Sequence, residues 1–578
     1  MMKLFRHLKP YRWLVAAVLV LVFFQTLSEL YLPTLMADIV DTGVVKGDTP
    51  YIWRIGLFML LVALGGMICS IAASYFSSRA AAGFGKTLRA KVFGHVSNFS
   101  LEEFDKIGTA SLITRTTNDI TQMQQVLIMM LRMMVMAPMM CIGGIIMAVS
   151  KDATLSLILV VIMPVLALAI FLIARKGIPL FKAIQKKIDK LNLVMREELT
   201  GIRVIRAFNR IGHEKKRFDA ANFDLTDTSI RVNKIMAFMM PIMMLVMNIS
   251  SVAIIWYGGL RIDAGHMQVG DLMAFLQYAM QIMFSLIMVS MMFVMIPRAS
   301  ASAVRINEVL DMIPVIKDKE TGGDNGTASQ QRGFVEFRNV SFSYPGAEQP
   351  AIQDISFSAK PGEVTAIIGG TGSGKSTLIS LIPRFYDVDE GSVLVDGVDV
   401  RDMTQEELRA KIGFVPQKAV LFTGTIADNI RYGKEDATDE EVRHAAAIAQ
   451  AADFIGEMEQ GYESEIAQGG TNVSGGQKQR LSIARALVRG AEIYIFDDSF
   501  SALDFKTDAK LRAALKGETS ESTVLIVAQR VSTVLDADRI IVMNESRIAG
   551  IGTHRELMET CDVYREIVYS QLSEEEIA

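Results

Sequence analysis

Six apolar runs of about twenty residues each, at 14–36, 55–76, 128–149, 154–174, 239–259 and 272–296, crowd the first 300 positions of this 578-residue chain. A run of that length is what a helix needs to cross a hydrocarbon core, where every peptide group must find its hydrogen bond within the segment. The chain is 51% hydrophobic and 21% charged, an average over an apolar front half and a back half of ordinary soluble composition. The first run follows MMKLFRHLKPYRW, with Lys3, Arg6, Lys9 and Arg12. It is too long for the apolar region of a signal peptide and no small-residue cleavage site follows, so we expect a retained first span.

The basic residues set the expected orientation. With the N-terminus inside, the three outer loops carry few cations (Lys46 and Arg54; Lys151; Arg261), whereas residues 175–234 hold fifteen Lys and Arg. The expected product is a multi-pass protein of the cell membrane with both termini cytoplasmic. The inner segments 77–127 and 175–238 are polar but poor in Pro and Gly, which predicts helices protruding far beyond the bilayer. We therefore expect a membrane domain over 1–310, a linker at 311–332 (KDKETGGDNGTASQQRG is its Gly- and Ser-rich centre), and an α/β domain over 333–578. The closing SEEEIA is expected to be a solvated tail.

A net charge of −4 offers no basic face, so no nucleic-acid partner is expected. Cys69, Cys141 and Cys561 show no pairing or metal spacing and are read as reduced; the six histidines are scattered and are read as solvated.

In the back half, the run from Gly369 to Thr377, GGTGSGKST, follows the apolar strand VTAII and precedes the apolar-periodic LISLI. That context makes it a phosphate-binding loop. Gly369, Gly372, Ser373 and Gly374 let backbone N–H groups curl around phosphate, Lys375 neutralises the outer phosphate, and Ser376 offers a hydroxyl to Mg²⁺ beside Thr377. Over a hundred residues on, EIYIFDD ends in Asp497 and Asp498, where a Mg²⁺-organising carboxylate belongs. ATP and Mg²⁺ are the implied cofactors.

The segment VSGGQK at 473–478 resembles the ABC signature, and with it the chain is similar to ABC transporters over nearly its whole length. The resemblance implies that Ser474, Gly475, Gly476 and Gln477 clamp ATP held by a second half. It also implies that Tyr344 in FSYPG stacks on adenine, that Gln417 in FVPQ is the Q-loop residue and a Mg²⁺ ligand, and that Asp504 in SALD lies in the D-loop. LITRTTNDI at 112–120 and GIRVIRAF at 201–208 resemble the exporter-type inner loops that touch the nucleotide domains. The implied fold is a membrane all-α six-helix bundle with long cytoplasmic helical extensions, fused to an α/β P-loop nucleotide-binding domain. The implied activity is that of a translocase ATPase in the bilayer, in which two sandwiched ATP molecules bias the spans toward an outward opening.

Two positions depart from the family. Asp498 stands where a glutamate polarises the attacking water, and it is one methylene shorter. Gln529 stands where a switch histidine is expected; it can hydrogen-bond phosphate but cannot become cationic. Both departures fall on one hydrolysis machinery, which resembles the degenerate subunit of heterodimeric bacterial multidrug ABC exporters. The expected partner is therefore a second, different half-transporter, with a small hydrophobic substrate as cargo. A lipid or peptide flippase, and an ATP-gated regulatory membrane protein, are the rival readings. Import is disfavoured, because nothing in the chain marks a periplasmic docking arrangement.

Substrate recognition is less determined. The chain has 35 methionines, concentrated in the third, fifth and sixth runs; they suit an adaptable pocket, or they stand in for Leu against lipid. An intramembrane charge costs ~2.5 to 3.5 kcal/mol on insertion scales. Glu29 is therefore read either as a site for a cationic substrate or as a structural hydrogen-bonding group, and Arg132 as snorkelling or ion-paired.

Overall fold

The structure is a computed structural model that describes residues 1–318 and 332–572. Most of the expected linker (319–331) and the expected tail (573–578) lie outside the described residues. Two compact units emerge, one of 1–97 with 109–312 and one of 98–108 with 313–578.

The first unit is all helix. Its long helices are Arg12–Asp38, Thr49–Val96, Ile120–Lys151, Leu157–Thr200, Ile211–Asp263 and Val269–Asp311, and among the described residues six helices are long and apolar enough to cross a membrane. Thr49–Val96 has 48 residues, about 70 Å at 1.5 Å per residue, against a hydrocarbon core of ~30 Å. The polar inner segments are thus continuations of the spans themselves. At the start of this helix Asp48 accepts from the N–H of Tyr51, and Pro50 occupies the first turn, where its missing N–H costs nothing.

Five of the six long helices carry an internal proline: Pro33, Pro138, Pro164 with Pro179, Pro241 and Pro297. Each removes a ladder hydrogen bond and frees a carbonyl four residues back. At Pro33 the freed carbonyl is that of Glu29, and Gln281 Nε2 from the sixth span donates to it at 3.2 Å. One residue on, Tyr278 donates its phenol to Leu30 O at 2.9 Å and lies 2.6 Å from Thr34 Oγ1. These bonds join the first and sixth spans within an apolar core that includes Leu30, Phe275, Tyr278 and Ile282.

Arg132, read as snorkelling or ion-paired, donates to the neutral Ser74 Oγ at 3.4 Å. The three cysteines are free thiols. Two histidines depart from the solvated reading, while His213, His266 and His444 are exposed: His95 Nε2 sits 2.7 Å from Met312 O, and His554 Nδ1 sits 2.8 Å from the buried Tyr564 phenol. An imidazole beside a carbonyl or phenol at a helix end satisfies polar atoms that would otherwise be stranded.

The second unit holds a six-stranded sheet ordered Arg547–Gly552, Arg539–Asn544, Val364–Gly369, Thr523–Val527, Ile493–Asp497, Ile412–Val415. It is parallel except at the Arg547–Gly552 edge. Its inner strands read as continuous apolar runs because both faces are covered. A separate antiparallel sheet pairs Val335–Phe342 with Ile352–Ala359 on one side and Glu390–Val395 on the other.

Near the N-terminal end of the third span, Asp119 is 3% exposed and accepts from Ser302 Oγ at 2.9 Å and Arg305 Nε at 2.8 Å, tying Ile120–Lys151 to Val269–Asp311. Removing the carboxylate strands a half-buried guanidinium. Asp119→Ala is therefore expected to cost about 2 kcal/mol and to lower the melting temperature of the detergent-solubilised chain, with Asp119→Asn intermediate.

Candidate functional site

The strand Val364–Gly369 delivers the Gly-rich loop, and the loop opens onto the helix Lys375–Ser380. Gly372 and Gly374 adopt φ of +81° and +95°, a region L side chains avoid. A Cβ at Gly374 would sit 2.4 Å from Ala351 O, and one at Gly369 2.1 Å from Met543 O. The curl of the loop depends on these close approaches. Lys375 Nζ donates to Gly369 O at 2.9 Å and Gly370 O at 2.7 Å, and Ser373 Oγ lies 3.5 Å away. Burial lowers the Lys375 pKa, opposed by the charges of Asp498 and Asp497.

Ser376 Oγ donates to Asp497 Oδ1 at 2.9 Å. A hydroxyl and a carboxylate thus converge at the foot of the phosphate loop, a hard-oxygen pair of the kind Mg²⁺ takes alongside phosphate oxygens. Burial pushes the Asp497 carboxyl up, against the Ser376 hydrogen bond, and the Asp498 charge adds to the rise.

Asp498 is 8% exposed and has φ of +47°. Asp tolerates this left-handed conformation better than longer side chains do, because its short carboxylate bonds locally. Its Oδ2 accepts from Gln529 Nε2 at 2.9 Å and from Gln417 Nε2 at 3.3 Å. The structure thereby brings together Lys375, Ser376, Asp497, Asp498, Gln417 and Gln529. Thr377 Oγ1 lies 3.0 Å from the Tyr344 phenol, so the aromatic singled out from FSYPG lies beside the same loop.

Ser474 is the N-cap of the helix Gly475–Leu487: its N–H donates to Gln477 Oε1 at 2.8 Å, and its Oγ accepts from Gln477 N at 3.3 Å. Gln477 thus takes part in a capping box. Gly475 has open space where a Cβ would stand, while Gly476 faces Ala502 O at 3.2 Å. The 474–477 group forms its own face, with exposed helix-start N–H groups. Asp504 caps Phe505–Glu518 by accepting from Thr507 N at 3.0 Å.

Two features escaped the sequence reading. Tyr344 meets Tyr386 edge-on, with centroids 5.4 Å apart, and Tyr386 donates its phenol to Asp105 Oδ2 at 3.5 Å. Burial, with Asp105 adding to it, pushes the Tyr386 phenol up to about 12. At the far end of the chain, Gln571 donates to Gln529 O at 2.9 Å and accepts from Val531 N at 2.8 Å, stapling the loop that carries Gln529. Neither contact has a motif; an aromatic six residues past the helix Lys375–Ser380 and a glutamine near the end of the chain give no signal until the fold pairs them.

In the first unit, Glu29 accepts from Gln25 Nε2 at 3.0 Å and lines a cavity of about 490 Å³. Met36, Met59, Met136, Met140 and Met288 line it too, while Met240 and Met244 are exposed. Methionines thus line a cavity at some positions and stand exposed at others.

Gly374→Ala is expected to abolish binding of a fluorescent ATP analogue, because both φ and the Ala351 carbonyl exclude a methyl group; Gly475→Ala, in open space, should leave that binding within about two-fold.

Comparison with known proteins agrees with this geometry. The ABC transporter transmembrane region family matches residues 15–286, and the ABC transporter family matches 352–501. An uncharacterized ABC transporter ATP-binding protein of Mycobacterium tuberculosis is 46% identical, over 98% of this chain and 97% of its own. A Bacillus subtilis protein described in the same words is 40% identical over 100% and 99%. An ATP-dependent lipid A-core flippase of Chromobacterium violaceum is 32% identical over 95% and 93%. Among solved structures, a bacterial Atm1-family ABC exporter with ATP bound superposes with a TM-score of 0.81 at 26% identity, covering 97% of this chain and 99% of that one. A membrane region of six apolar helices joined to an ABC ATPase domain places this chain in the ABC transporter family, as a half-transporter of the exporter type.

Proposed function

We propose that this half-transporter pairs with a different half to export hydrophobic or amphiphilic compounds, and that its own ATP site binds nucleotide but hydrolyses it slowly. The observation that carries the reading is the double amide contact on Asp498 Oδ2. A general base needs a free lone pair within hydrogen-bond reach of its water, and such catalysis is worth ~10² to 10⁴ in rate. Here both amides bond Oδ2 of a carboxylate one methylene shorter than glutamate, so only Oδ1, from a shorter reach, is left to face a water. Gln529 offers no exchangeable positive charge near the reacting phosphate.

Under this reading Tyr344 stacks on adenine, residues 369–377 cradle the phosphates, and Ser376, Asp497 and the Gln417 carbonyl hold Mg²⁺. The metal, when bound, neutralises charge between the outer phosphates. Ser474 to Gln477, regular in geometry, complete the ATP site of the partner half. The N- and C-termini are cytoplasmic, and the boundaries 1–310, 311–332 and 333–578 delimit membrane domain, linker and nucleotide domain. Lipid flipping by the same engine is the second reading, favoured by the flippase relatives.

Purified chain in lipid nanodiscs should turn over ATP negligibly alone and robustly when assembled with its partner half, with Asp498→Asn leaving the assembled rate within about two-fold. Asp498→Glu combined with Gln529→His should raise turnover by the chain alone by ~100-fold. Brisk turnover by the chain alone that Asp498→Asn abolishes would contradict the proposal.

A further inference from the structure

Glu29 and Gln281 both line the membrane-domain cavity, and Pro33 brings them together. Because Pro33 has no N–H, the carbonyl of Glu29 needs another donor, and Gln281 Nε2 supplies it at 3.2 Å. That bond fixes which way the Gln281 amide points: turned over, it would set oxygen against oxygen. Gln281 Oε1 is left buried and without a hydrogen-bond partner, and Gln281 lines the cavity. Unpartnered buried acceptors are uncommon and call for an explanation.

Beside it, the Glu29 side chain also lines the cavity. It accepts from Gln25 Nε2 through Oε1. A carboxylate at this depth is costly unless a positive group meets it. Among the described residues no Lys or Arg lines the cavity; the remaining wall is methionine, Phe284 and other apolar side chains, with Gln277 and Ser285. Ser285 donates its hydroxyl to its own helix, to Ile282 O at 2.7 Å.

We infer that this cavity binds the positively charged end of a lipophilic amine, with the ammonium at the Glu29 carboxylate and the apolar body among the methionines. The inference rests on the reading that this half handles amphiphilic compounds, and it narrows their class. A ligand with an anionic headgroup would meet a carboxylate, with no Lys or Arg among the described lining residues to receive it. A neutral ligand would leave the carboxylate unpaired. An N–H-bearing cation satisfies the carboxylate, and Phe284 belongs to the same cavity wall. The thioethers adapt to the shape of the apolar part, so the site selects charge more strongly than outline.

The test is equilibrium binding of 1-pyrenemethylammonium, 1-pyrenemethanol and 1-pyrenecarboxylate to the full-length chain in lipid nanodiscs, with partition into empty nanodiscs subtracted. The three probes share one ring system and differ in charge. The ammonium should bind at least ten-fold tighter than the alcohol, and the carboxylate more weakly than either. Glu29→Gln should bring the ammonium-to-alcohol ratio near one, and Glu29→Asp should keep most of the preference. An unchanged ratio in Glu29→Gln overturns the assignment. So does equal binding of ammonium and carboxylate to the unmodified chain, a comparison that needs no variant to fold. No turnover is involved, so a missing preference sinks the cavity assignment alone, whereas missing turnover with the partner half sinks the proposed function and leaves these ratios standing.

Discussion

Parallel pairing of four adjacent strands, Val364–Gly369, Thr523–Val527, Ile493–Asp497 and Ile412–Val415, sets their carboxyl ends along one edge of the sheet. Ligands of open α/β sheets bind at that edge. Residues one to several positions past each strand end are the chemical groups of the site: the loop to Lys375 after Gly369, Gln529 after Val527, Asp498 after Asp497, and Gln417 after Val415. The register pairs Val527 with both Ile367 and Asp497, and Asp498 N continues it by donating to Val527 O at 2.9 Å. Four stretches far apart in sequence therefore need no further device to meet. Small adjustments finish the arrangement, such as the left-handed backbone at Asp498 and the Gln571 staple on the loop after Val527.

The membrane unit answers to a different constraint, the absence of water to satisfy a backbone group. Continuous helices meet it along most of their length. Where proline interrupts the ladder, a neighbouring side chain must repair it, and at Pro33 that repair is made by the sixth span. Tyr278 and Gln281 join the first span at adjacent carbonyls, one through a buried phenol and the other through an amide. A defect in one helix thus specifies its partner, and it sets polar atoms at the wall of an otherwise apolar cavity.

Much of this was legible in the sequence, for identifiable reasons. Six long apolar runs and a strand–loop–helix context around GGTGSGKST have few structural solutions, so the helical unit, the P-loop and the carboxylates after EIYIF are where the pattern puts them. Residues whose roles depend on partners were not legible. Nothing in VLIVAQR states that Gln529 reaches Asp498, nothing in the sixth run states that Gln281 reaches a carbonyl freed by Pro33, and His95 and His554 look solvated until their partners at Met312 and Tyr564 are known. Residues 98–108, flanked by membrane-unit helices, group with the nucleotide unit, where Asp105 meets Tyr386. Such contacts are set by tertiary geometry, and periodicity carries no trace of them.

The central claim is that the nucleotide held by this chain's own P-loop stays intact while the assembled transporter turns over. The most direct measurement is photolabelling of the assembled halves during turnover with 8-azido-ATP carrying its radioactive phosphorus at either the α or the γ position. The account predicts that this chain retains label from both forms, because its ATP persists, while the partner retains only the α label. Loss of the γ label from this chain as fast as from the partner would contradict it.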